Sequence, residues 1–430
     1  HNFFLGHGNP GLNLLATPTL MNNSPPLSQR VVVTGIGAIS PIGIGKKNYW
    51  ENLLAGTNGT GPVPELEEFN TGISVAGIIP EFIPEDFIPP DQASSCGRTS
   101  QLAIAAAQMA LEDAGYKKGK DLAGEEVSIF MGTTMGEANV QEEMVYTWLR
   151  EDITKIQLDH ISKVPDCSVA QNIGRILGIE GNCLVFPTAC SAGNYAIGYG
   201  YDLLQSGQAS IVLAGGCDSF SKIAFIGFGR MLALAPEKCQ PFDKNRRGII
   251  VSEGSGIIIL ESLQHALERR ADIYAEVLGY GLSCDAYHMT TTQIEGVQPV
   301  MERALIDAEI QPQDVDLICA HGTGTRINDK VESQAVNQIF AQKRAIPVVS
   351  IKSMLGHTMG AASALEAIAC IMAIREGKVP PTINFETPDE ECPVDCVPNR
   401  MRSLDIRIAL NNSFAFGSNN AATVFSRFEP

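Results

Sequence analysis

The chain alternates between short apolar runs and longer stretches whose apolar residues recur with helical spacing. The apolar runs, several of them rich in β-branched residues, predict strands at 31–33, 127–132, 183–187, 211–216, 315–320, 347–351 and 405–410. The helical spacing predicts helices at 98–115, 191–207, 298–309 and 360–377. Alternation of this kind predicts an α/β fold with mostly parallel sheets and helices on their faces.

The second half of this pattern repeats the first. Three pairs of segments correspond: 127–134 with 315–323, the helix after Cys190 with the helix after His357, and 211–219 with 408–418. This correspondence predicts an internally duplicated α/β unit. Two such halves packed on shared helices would leave one cleft, to which each half contributes side chains.

The repeat also predicts where the chain divides. Residues 1–29 are broken by prolines and lack the basic start of a signal peptide, so we expect a disordered leader, part of it a tag remnant. We predict a first half at 30–280, which carries Cys190, and a second half at 281–430, which carries the histidine and lysine motifs.

Composition narrows the classes of function. The 430 residues are 44% hydrophobic and 18% charged, which is typical of a globular protein. A formal net charge of −17 disfavours a nucleic-acid binder, and no apolar run reaches the roughly 18 residues of a membrane span. The eleven cysteines include no CxxC pair, which disfavours a zinc or disulfide framework and favours a reduced, cytoplasmic chain. The glycines of 35–43 lack the spacing of a dinucleotide-binding loop.

Cys190 is the most informative position. It follows a predicted strand and a sharp turn at Pro187, and it precedes a helix rich in small residues. At a helix N-terminus, unpaired N–H groups and the helix dipole lower a thiol pKa and can bind an oxyanion. A free cysteine is more often a buried structural residue, but this strand–turn–helix setting favours a nucleophile.

Further motifs lie at other strand ends. His321 directly follows the strand at 315–320, where α/β folds place active-site groups. Lys352 lies between an apolar strand and a small-residue helix, five residues before His357. Glu366 lies within that otherwise apolar helix, where an unpaired carboxylate is costly, so a partner such as Lys352 is expected.

A last motif, at 411–420, opens from the final strand into a glycine–polar loop that contains Phe414 and Phe416, and it is equally typical of a simple β-turn. Taken with the other motifs, the chain places one cysteine, two histidines and one lysine at strand ends. A Cys–His pair suits acyl transfer through a thiol. A second histidine is explained if another negative charge needs stabilising, such as the enolate left by a decarboxylation.

These motifs resemble those of β-ketoacyl–acyl-carrier-protein synthases of the elongating KAS II type, in the thiolase superfamily. The similar segments are spread over residues 30–427 and include PTACSAGNYAIGYG, PFDKNRRG, HGTGT, KSMLGHTMGAAS and NSFAFGSNN. The resemblance implies a thiolase-like duplicated fold, layered α-β-α-β-α, with two mixed five-stranded sheets.

The resemblance also implies a division of chemical roles. Cys190 would attack an acyl thioester delivered by acyl carrier protein, while His321 and His357 bind the malonyl thioester carbonyl and promote decarboxylation. Lys352 would support the histidines and pair with Glu366.

Other positions implied by the resemblance surround the substrate. The backbone N–H groups of the nucleophile and of Phe416 would form the oxyanion hole, and Phe416 would also act as a gate. Thr323 and Thr325 would bind the pantetheine arm, and Met135 and Phe228 would line an acyl pocket near a dimer interface. No cofactor or metal is expected, since the substrates are carried on the phosphopantetheine of the carrier protein.

Two departures bear on the pathway. Fatty-acid members of the family usually have a glycine before the aspartate in the loop after HGT, whereas this chain has Asn328-Asp329, and it has GSNN at 417–420 in place of GGTN. Asn-Asp resembles ketosynthases of type II polyketide and aryl-polyene pathways, which often pair with a chain-length factor that lacks the nucleophile. Because Cys190 is present, this chain would be the catalytic partner of such a heterodimer, or a homodimer.

Three alternatives stay open. A non-catalytic subunit of the chain-length-factor type predicts loss of the nucleophile, and Cys190 is present. A coenzyme A thiolase generally has a second cysteine near the C-terminal glycine loop, which is missing at 413–418, and it would leave Lys352 unexplained. A zinc-binding or structural protein is the third alternative.

Overall fold

The computed structural model describes residues 26–116, 119–340 and 346–429, so the predicted leader lies outside the described residues up to position 25. The strands are β1 (Val31–Ser40), β2 (Gly43–Ile44), β3 (Gly61–Pro62), β4 (Val75–Ala76), β5 (Val127–Gly132), β6 (Gly181–Phe186), β7 (Ile211–Asp218), β8 (Gly254–Ser262), β9 (Ala275–Ser283), β10 (Leu317–Cys319), β11 (Val348–Val349), β12 (Lys378–Val379), β13 (Arg402–Ser403), β14 (Ile408–Ser413) and β15 (Asn420–Ser426).

The α-helices are α1 (Lys46–Ala55), α2 (Pro90–Ala93), α3 (Arg98–Asp113), α4 (Ala138–Arg150), α5 (Leu158–Lys163), α6 (Ser168–Leu177), α7 (Ala192–Gln205), α8 (Lys222–Arg230), α9 (Leu263–Glu268), α10 (Ile294–Asp307), α11 (Arg326–Phe340), α12 (Lys352–Leu355) and α13 (Ala362–Glu376). Short 3₁₀ turns that matter below are Ala189–Ser191, Met359–Ala361 and Phe416–Ser418. The strands and helices predicted from the sequence are all present, with ends shifted by a few residues.

Ten strands form one continuous path, in the order β11-β10-β14-β15-β9-β1-β8-β7-β5-β6. In the first set of five, β5 is parallel to β6 and β7, whereas β8 is antiparallel to β7 and β1. The second set repeats this: β10 is parallel to β11 and β14, whereas β15 is antiparallel to β14 and β9. The two mixed five-stranded sheets are therefore present, and they are joined where β1 pairs with β9 at 31–33 and 275–277.

The internal duplication predicted from the sequence is confirmed by this order. Two of the matched segments form β5 and β10, each the second strand of its set, and two others form β7 and β14, each the third. The matched helices are α7 and α13. The predicted division between residues 280 and 281 falls inside β9, and where the chain divides into halves stays a prediction.

The helices α7 and α13 pack against each other in the middle of the molecule. Nearly all of α13 is buried, which fits a sequence that is apolar on every side. A Cβ atom on Gly193 of α7 would lie 2.7 Å from the backbone nitrogen of Ala364 in α13, so the close approach requires glycine. This approach brings the starts of the two helices, one from each half, to the same place.

Within the described ranges, no helix has both the length and the apolar character that crossing a membrane would require.

Candidate active site

Cys190 lies in the 3₁₀ turn between β6 and α7. The preceding residue, Ala189, has a left-handed φ of 53°, so the chain reverses sharply before the cysteine. The turn is pressed against the end of β5, because a Cβ atom on Gly132 would lie 2.2 Å from the carbonyl carbon of Ala192. Cys190 is buried, with 5% of its surface exposed.

His357, from the second half, faces this thiol. Its Nε2 lies 3.0 Å from the Sγ of Cys190, and its Nδ1 accepts the backbone N–H of Met359 at 3.2 Å. Burial and the charge of Lys352 hold the pKa of His357 well below its usual range, so the ring is neutral. Because Nδ1 accepts, the single ring proton is on Nε2 and points at the sulfur.

His321 is arranged in the same way at the end of β10. Lys352 Nζ lies 3.4 Å from His321 Nδ1 and also pairs with the Glu366 carboxylate, both side chains of the ion pair being at most 2% exposed. Burial and the charges of Lys352 and His357 hold the pKa of His321 well below its usual range. Since the ammonium group donates to Nδ1, the proton of this neutral ring is also on Nε2.

The thiol does not have the low pKa expected at a helix N-terminus. Burial raises the pKa of Cys190 to about 12, although the charge of Lys352 lowers it. The expected low pKa of the Cys190 thiol is therefore wrong, because the loss of hydration on burial outweighs the favourable charges. The sulfur is a thiol at neutral pH, and the N–H of His357 stabilises negative charge on it as the charge develops.

A metal is disfavoured by the same arrangement. One donor atom each of Cys190, His321 and His357 lies within 4.8 Å of the others, which is a set of ligand types that zinc accepts. However, the ammonium group of Lys352 beside His321 opposes a second cation. Two N–H donors and a thiol fit the oxygen and carbonyl carbon of a thioester better.

A cavity of 570 Å³ leads to this group. The residues expected to bind substrate that line it are Phe228, Thr323, Thr325 and Phe416. The two threonine hydroxyls lie 2.9 Å apart. Phe416 is 37% exposed, and its ring centroid lies 5.6 Å from that of Phe228, so these rings meet at the cavity wall.

Met135 is not among the residues that line this cavity. It packs against an apolar cluster that includes Phe225, Phe228 and Met359, and its backbone N–H donates to Asp218 at 3.0 Å. The structure therefore brings Phe228 to the cavity and leaves Met135 outside its lining.

Several residues that shape the site were not recognised in the sequence. Glu332 accepts the backbone N–H groups of His321 and Gly322, each at 2.8 Å, and burial raises its pKa to about 7. Ser413 donates its hydroxyl to the carbonyl of Cys190 at 2.9 Å. These side chains hold backbone groups that are distant in the sequence, and no spacing pattern signals such contacts.

Comparisons with known proteins agree with this fold. The model of the β-ketoacyl synthase N-terminal domain matches residues 28–266, and that of the C-terminal domain matches residues 274–386. The 3-oxoacyl-[acyl-carrier-protein] synthase 2 of Synechocystis sp. is 37% identical over 414 residues, which cover 93% of this chain and 99% of the relative. Nodulation protein E of Rhizobium meliloti is 36% identical over 405 residues, which cover 93% and 100%.

Solved structures give the same result. The ishigamide ketosynthase/chain length factor superposes with a TM-score of 0.89 at 43% identity, covering 93% of this chain and 99% of that one. A type II polyketide synthase acyl-carrier protein in complex with its ketosynthase gives 0.85 at 31% identity, with coverage of 93% and 99%.

The duplicated fold, with a thiol from one half facing two imidazoles from the other, defines a condensing enzyme of the thiolase type. The chain belongs to the β-ketoacyl synthase family, and its resemblance to the KAS II type is confirmed.

Proposed function

We propose that the chain catalyses decarboxylative Claisen condensation between an acyl group on Cys190 and a malonyl group on acyl carrier protein. The observation that carries the proposal is that both buried imidazoles lie at the thiol-bearing cavity with Nδ1 already bonded, which leaves an Nε2–H on each ring to donate to substrate. The thiol of Cys190 attacks the acyl thioester, its proton passes to the sulfur of the departing carrier, and an acyl-enzyme and a free carrier thiol form. Loss of CO₂ from the malonyl thioester leaves an enolate, whose carbon attacks the acyl-enzyme and expels Cys190 as a thiolate, which takes a proton from water.

The protonation of the two rings favours condensation over hydrolysis. A Cys–His hydrolase needs a ring nitrogen that accepts a proton from thiol or water, whereas the Nε2 of His357 already carries one. Decarboxylation consumes no base, and it needs hydrogen-bond donors that stabilise the enolate oxygen. His321 and His357 supply two such donors, and Lys352 fixes the tautomer of His321.

The remaining site residues follow from this reaction. The backbone N–H groups of Cys190 and Phe416 would bind the oxyanion of the acyl transfer steps, and Phe416 would move to admit the second substrate. Thr323 and Thr325 would bind the pantetheine arm. Phe228 would contact the acyl chain, with Met135 behind it.

An acyl carrier protein fits the mouth of the cavity. Arg247 and Arg326 line it, both are exposed, and neither has an ion-pair partner among the described residues. Within the part of the chain that the structure describes, no carboxylate lines this cavity, although the net charge is −17. An arm that ends in a phosphodiester is therefore favoured there.

A dimer through the edge of β6 would complete the molecule. β6 pairs with β5 along one edge and ends the strand order, so its other edge has no pairing strand among the described residues. Leu184 on β6 is 50% exposed and Tyr199 on α7 is 45% exposed, beside Phe186. An open apolar edge favours pairing with another chain, which we propose is a second copy or a subunit of the chain-length-factor type.

We further propose that the pathway makes a polyketide or polyene, in preference to a fatty acid. Asn328-Asp329 supports this, as does the 43% identity to the ishigamide ketosynthase/chain length factor. We place the enzyme in the cytoplasm, since all eleven cysteines are free thiols and a reducing compartment keeps them so.

Intact mass spectrometry tests the reaction. After incubation with acyl carrier-protein thioesters, we expect one added acyl group on the wild-type chain, and none on Cys190→Ala. The matched control Cys167→Ala, which alters an exposed thiol, should retain it. Cys190→Ala should lose condensation yet keep malonyl decarboxylation, because the donors remain. Condensation by Cys190→Ala would refute the proposal.

The same assay with coenzyme A esters tests the thiolase alternative. Cys284 contacts the carbonyl of Gly417 in the C-terminal loop at 3.7 Å, but it is exposed and is not among the residues lining the cavity. We therefore expect no thiolysis of a β-ketoacyl coenzyme A.

A further inference from the structure

Asp218, the last residue of β7, is a buried carboxylate to which the proposed mechanism assigns no role. Its Oδ1 accepts the hydroxyl of Thr133 at 2.6 Å and the backbone N–H of Met135 at 3.0 Å. Its Oδ2 accepts the backbone N–H groups of Thr134 at 2.7 Å and of Gly360 at 2.6 Å. Three of these donors follow β5 in the first half, and the fourth precedes α13 in the second.

The backbones around this carboxylate are in direct contact. A Cβ atom on Gly360 would lie 2.7 Å from Asp218 Oδ2 and 2.7 Å from the Cα of Thr133. A Cβ atom on Gly216 would lie 2.2 Å from the carbonyl oxygen of Gly360. The carboxylate therefore joins two turns that have no room to shift past each other.

Both turns lead directly to catalytic atoms. In the turn before α13, Met359 donates its N–H to His357 Nδ1 at 3.2 Å, and His357 Nε2 lies 3.0 Å from Cys190 Sγ. In the turn after β5, Thr133 donates its N–H to the carbonyl of Phe186 at 3.2 Å, at the point where β6 leads to the nucleophile. The turn that follows His357 and the turn that contacts the segment before Cys190 thus meet at Asp218.

We propose that Asp218 is a positioning residue for the Cys190–His357 pair, holding the turn before α13 against the turn after β5. Its effect on turnover rests on the proposed function, whereas its effect on the sulfur does not. An apolar side chain here would leave buried N–H groups unpaired. The charge of Asp218 also raises the pKa of Cys190.

Two substitutions in the full-length protein test this role. Asp218→Ala removes every acceptor, so the turn before α13 is no longer bonded to the turn after β5. The kcat of malonyl-carrier decarboxylation should therefore fall roughly 100-fold, which is the cost of displacing a catalytic group, with little change in KM. Asp218→Asn keeps an oxygen for Gly360 and should retain most of that activity. Because Asp218→Asn removes a negative charge near Cys190, iodoacetamide should alkylate Cys190 about three to ten times faster at pH 8.

Glu137→Gln is the matched control. Glu137 is also fully buried and accepts two backbone N–H groups, those of Thr99 at 3.1 Å and Ser100 at 2.8 Å, at the start of α3. It should lower the melting temperature without changing the kcat or the alkylation of Cys190.

Folded Asp218→Ala with wild-type decarboxylation would overturn the positioning role. If Asp218→Ala does not fold, Asp218→Asn decides: a folded Asp218→Asn that loses decarboxylation about 100-fold, or whose Cys190 is alkylated at the wild-type rate, would overturn the role of Asp218 at this pair. Alkylation is read by peptide mass spectrometry and needs no turnover, so it remains informative even if the wild-type chain fails to condense any substrate.

Discussion

Removing Lys352 should destabilise the protein and inactivate it through one buried contact. Lys352 and Glu366 are 2% and 1% exposed, and the ammonium group also lies 3.4 Å from His321 Nδ1. Lys352→Met keeps most of the volume but leaves the Glu366 carboxylate buried without its cation. Breaking a buried ion pair in this way costs about 3–5 kcal/mol of unfolding free energy.

The size of the chain sets the expected shift in melting temperature. With about 2.1 cal/mol/K of unfolding entropy per residue, 430 residues give roughly 0.9 kcal/mol/K. A loss of about 3–5 kcal/mol of unfolding free energy therefore lowers the melting temperature by roughly 3–6 °C. Decarboxylation should fall as well, because His321 loses the donor that fixes its tautomer.

The pH dependence gives a second check on Lys352→Met. Burial raises the pKa of Glu366 from 4.5 to about 7 even with Lys352 present, whose charge lowers it. The folded state therefore binds this proton more tightly than the unfolded state, and stability decreases as the pH rises from 4.5 to 7. Without Lys352 the pKa of Glu366 rises further. The stability of Lys352→Met should therefore approach that of wild type at low pH, and the difference between the two proteins should be largest above neutral pH.

The double variant Lys352→Met/Glu366→Gln is the control, since it removes both charges. Calorimetry should show at least half of the lost stability restored, whereas decarboxylation stays low. A melting temperature for Lys352→Met within one degree of wild type, or no recovery in the double variant, would refute the reasoning.

Two further predictions concern single titrating groups. Because the pKa of Cys190 is about 12, its alkylation rate in the folded protein should rise about tenfold per pH unit from pH 7 to 10; a plateau near pH 8.5, as in the unfolded control, would contradict the effect of burial. At Glu261, burial raises the pKa, but hydrogen bonds from Arg269, His265 and Thr34 outweigh it and lower the pKa from 4.5 to about 2. That carboxylate should contribute about 3 kcal/mol of stability above pH 4.5, lost as the pH falls towards 2. Glu261→Gln should therefore be less stable than wild type at pH 7 in chemical unfolding, and a difference that stays constant down to pH 2 would contradict this account.

The duplicated fold could be predicted because its signal is local and occurs twice. Apolar runs define β5 and β10, and His321 directly follows the second of these. The equivalence of α7 and α13 places Cys190 and His357 at corresponding positions, each just before its helix. The joining of the two five-stranded sets through β1 and β9 could not be predicted, since it depends on pairing between strands that are distant in the sequence.

The types of residue in the site could be predicted from the sequence, but the direction of the pKa shift of Cys190 could not. A lysine and a glutamate in apolar surroundings indicate a buried pair, as the structure shows for Lys352 and Glu366. The pKa of Cys190 required the three-dimensional burial, which a helix N-terminus alone does not reveal. Asp218 and Glu332 were missed because each holds backbone groups whose proximity exists only in the folded chain.

The division of the site between the halves has an evolutionary consequence. The sulfur of Cys190 contacts His357 and takes part in the reaction. The sharp turn that holds Cys190 between β6 and α7 is instead shaped by the left-handed φ of Ala189 and by close backbone packing at Gly132. One codon change at position 190 would therefore remove the nucleophile and leave the turn between β6 and α7, the cavity and the exposed edge of β6 in place. After a gene copy, a chain with the nucleophile and a chain that keeps the same surfaces without it are a single substitution apart.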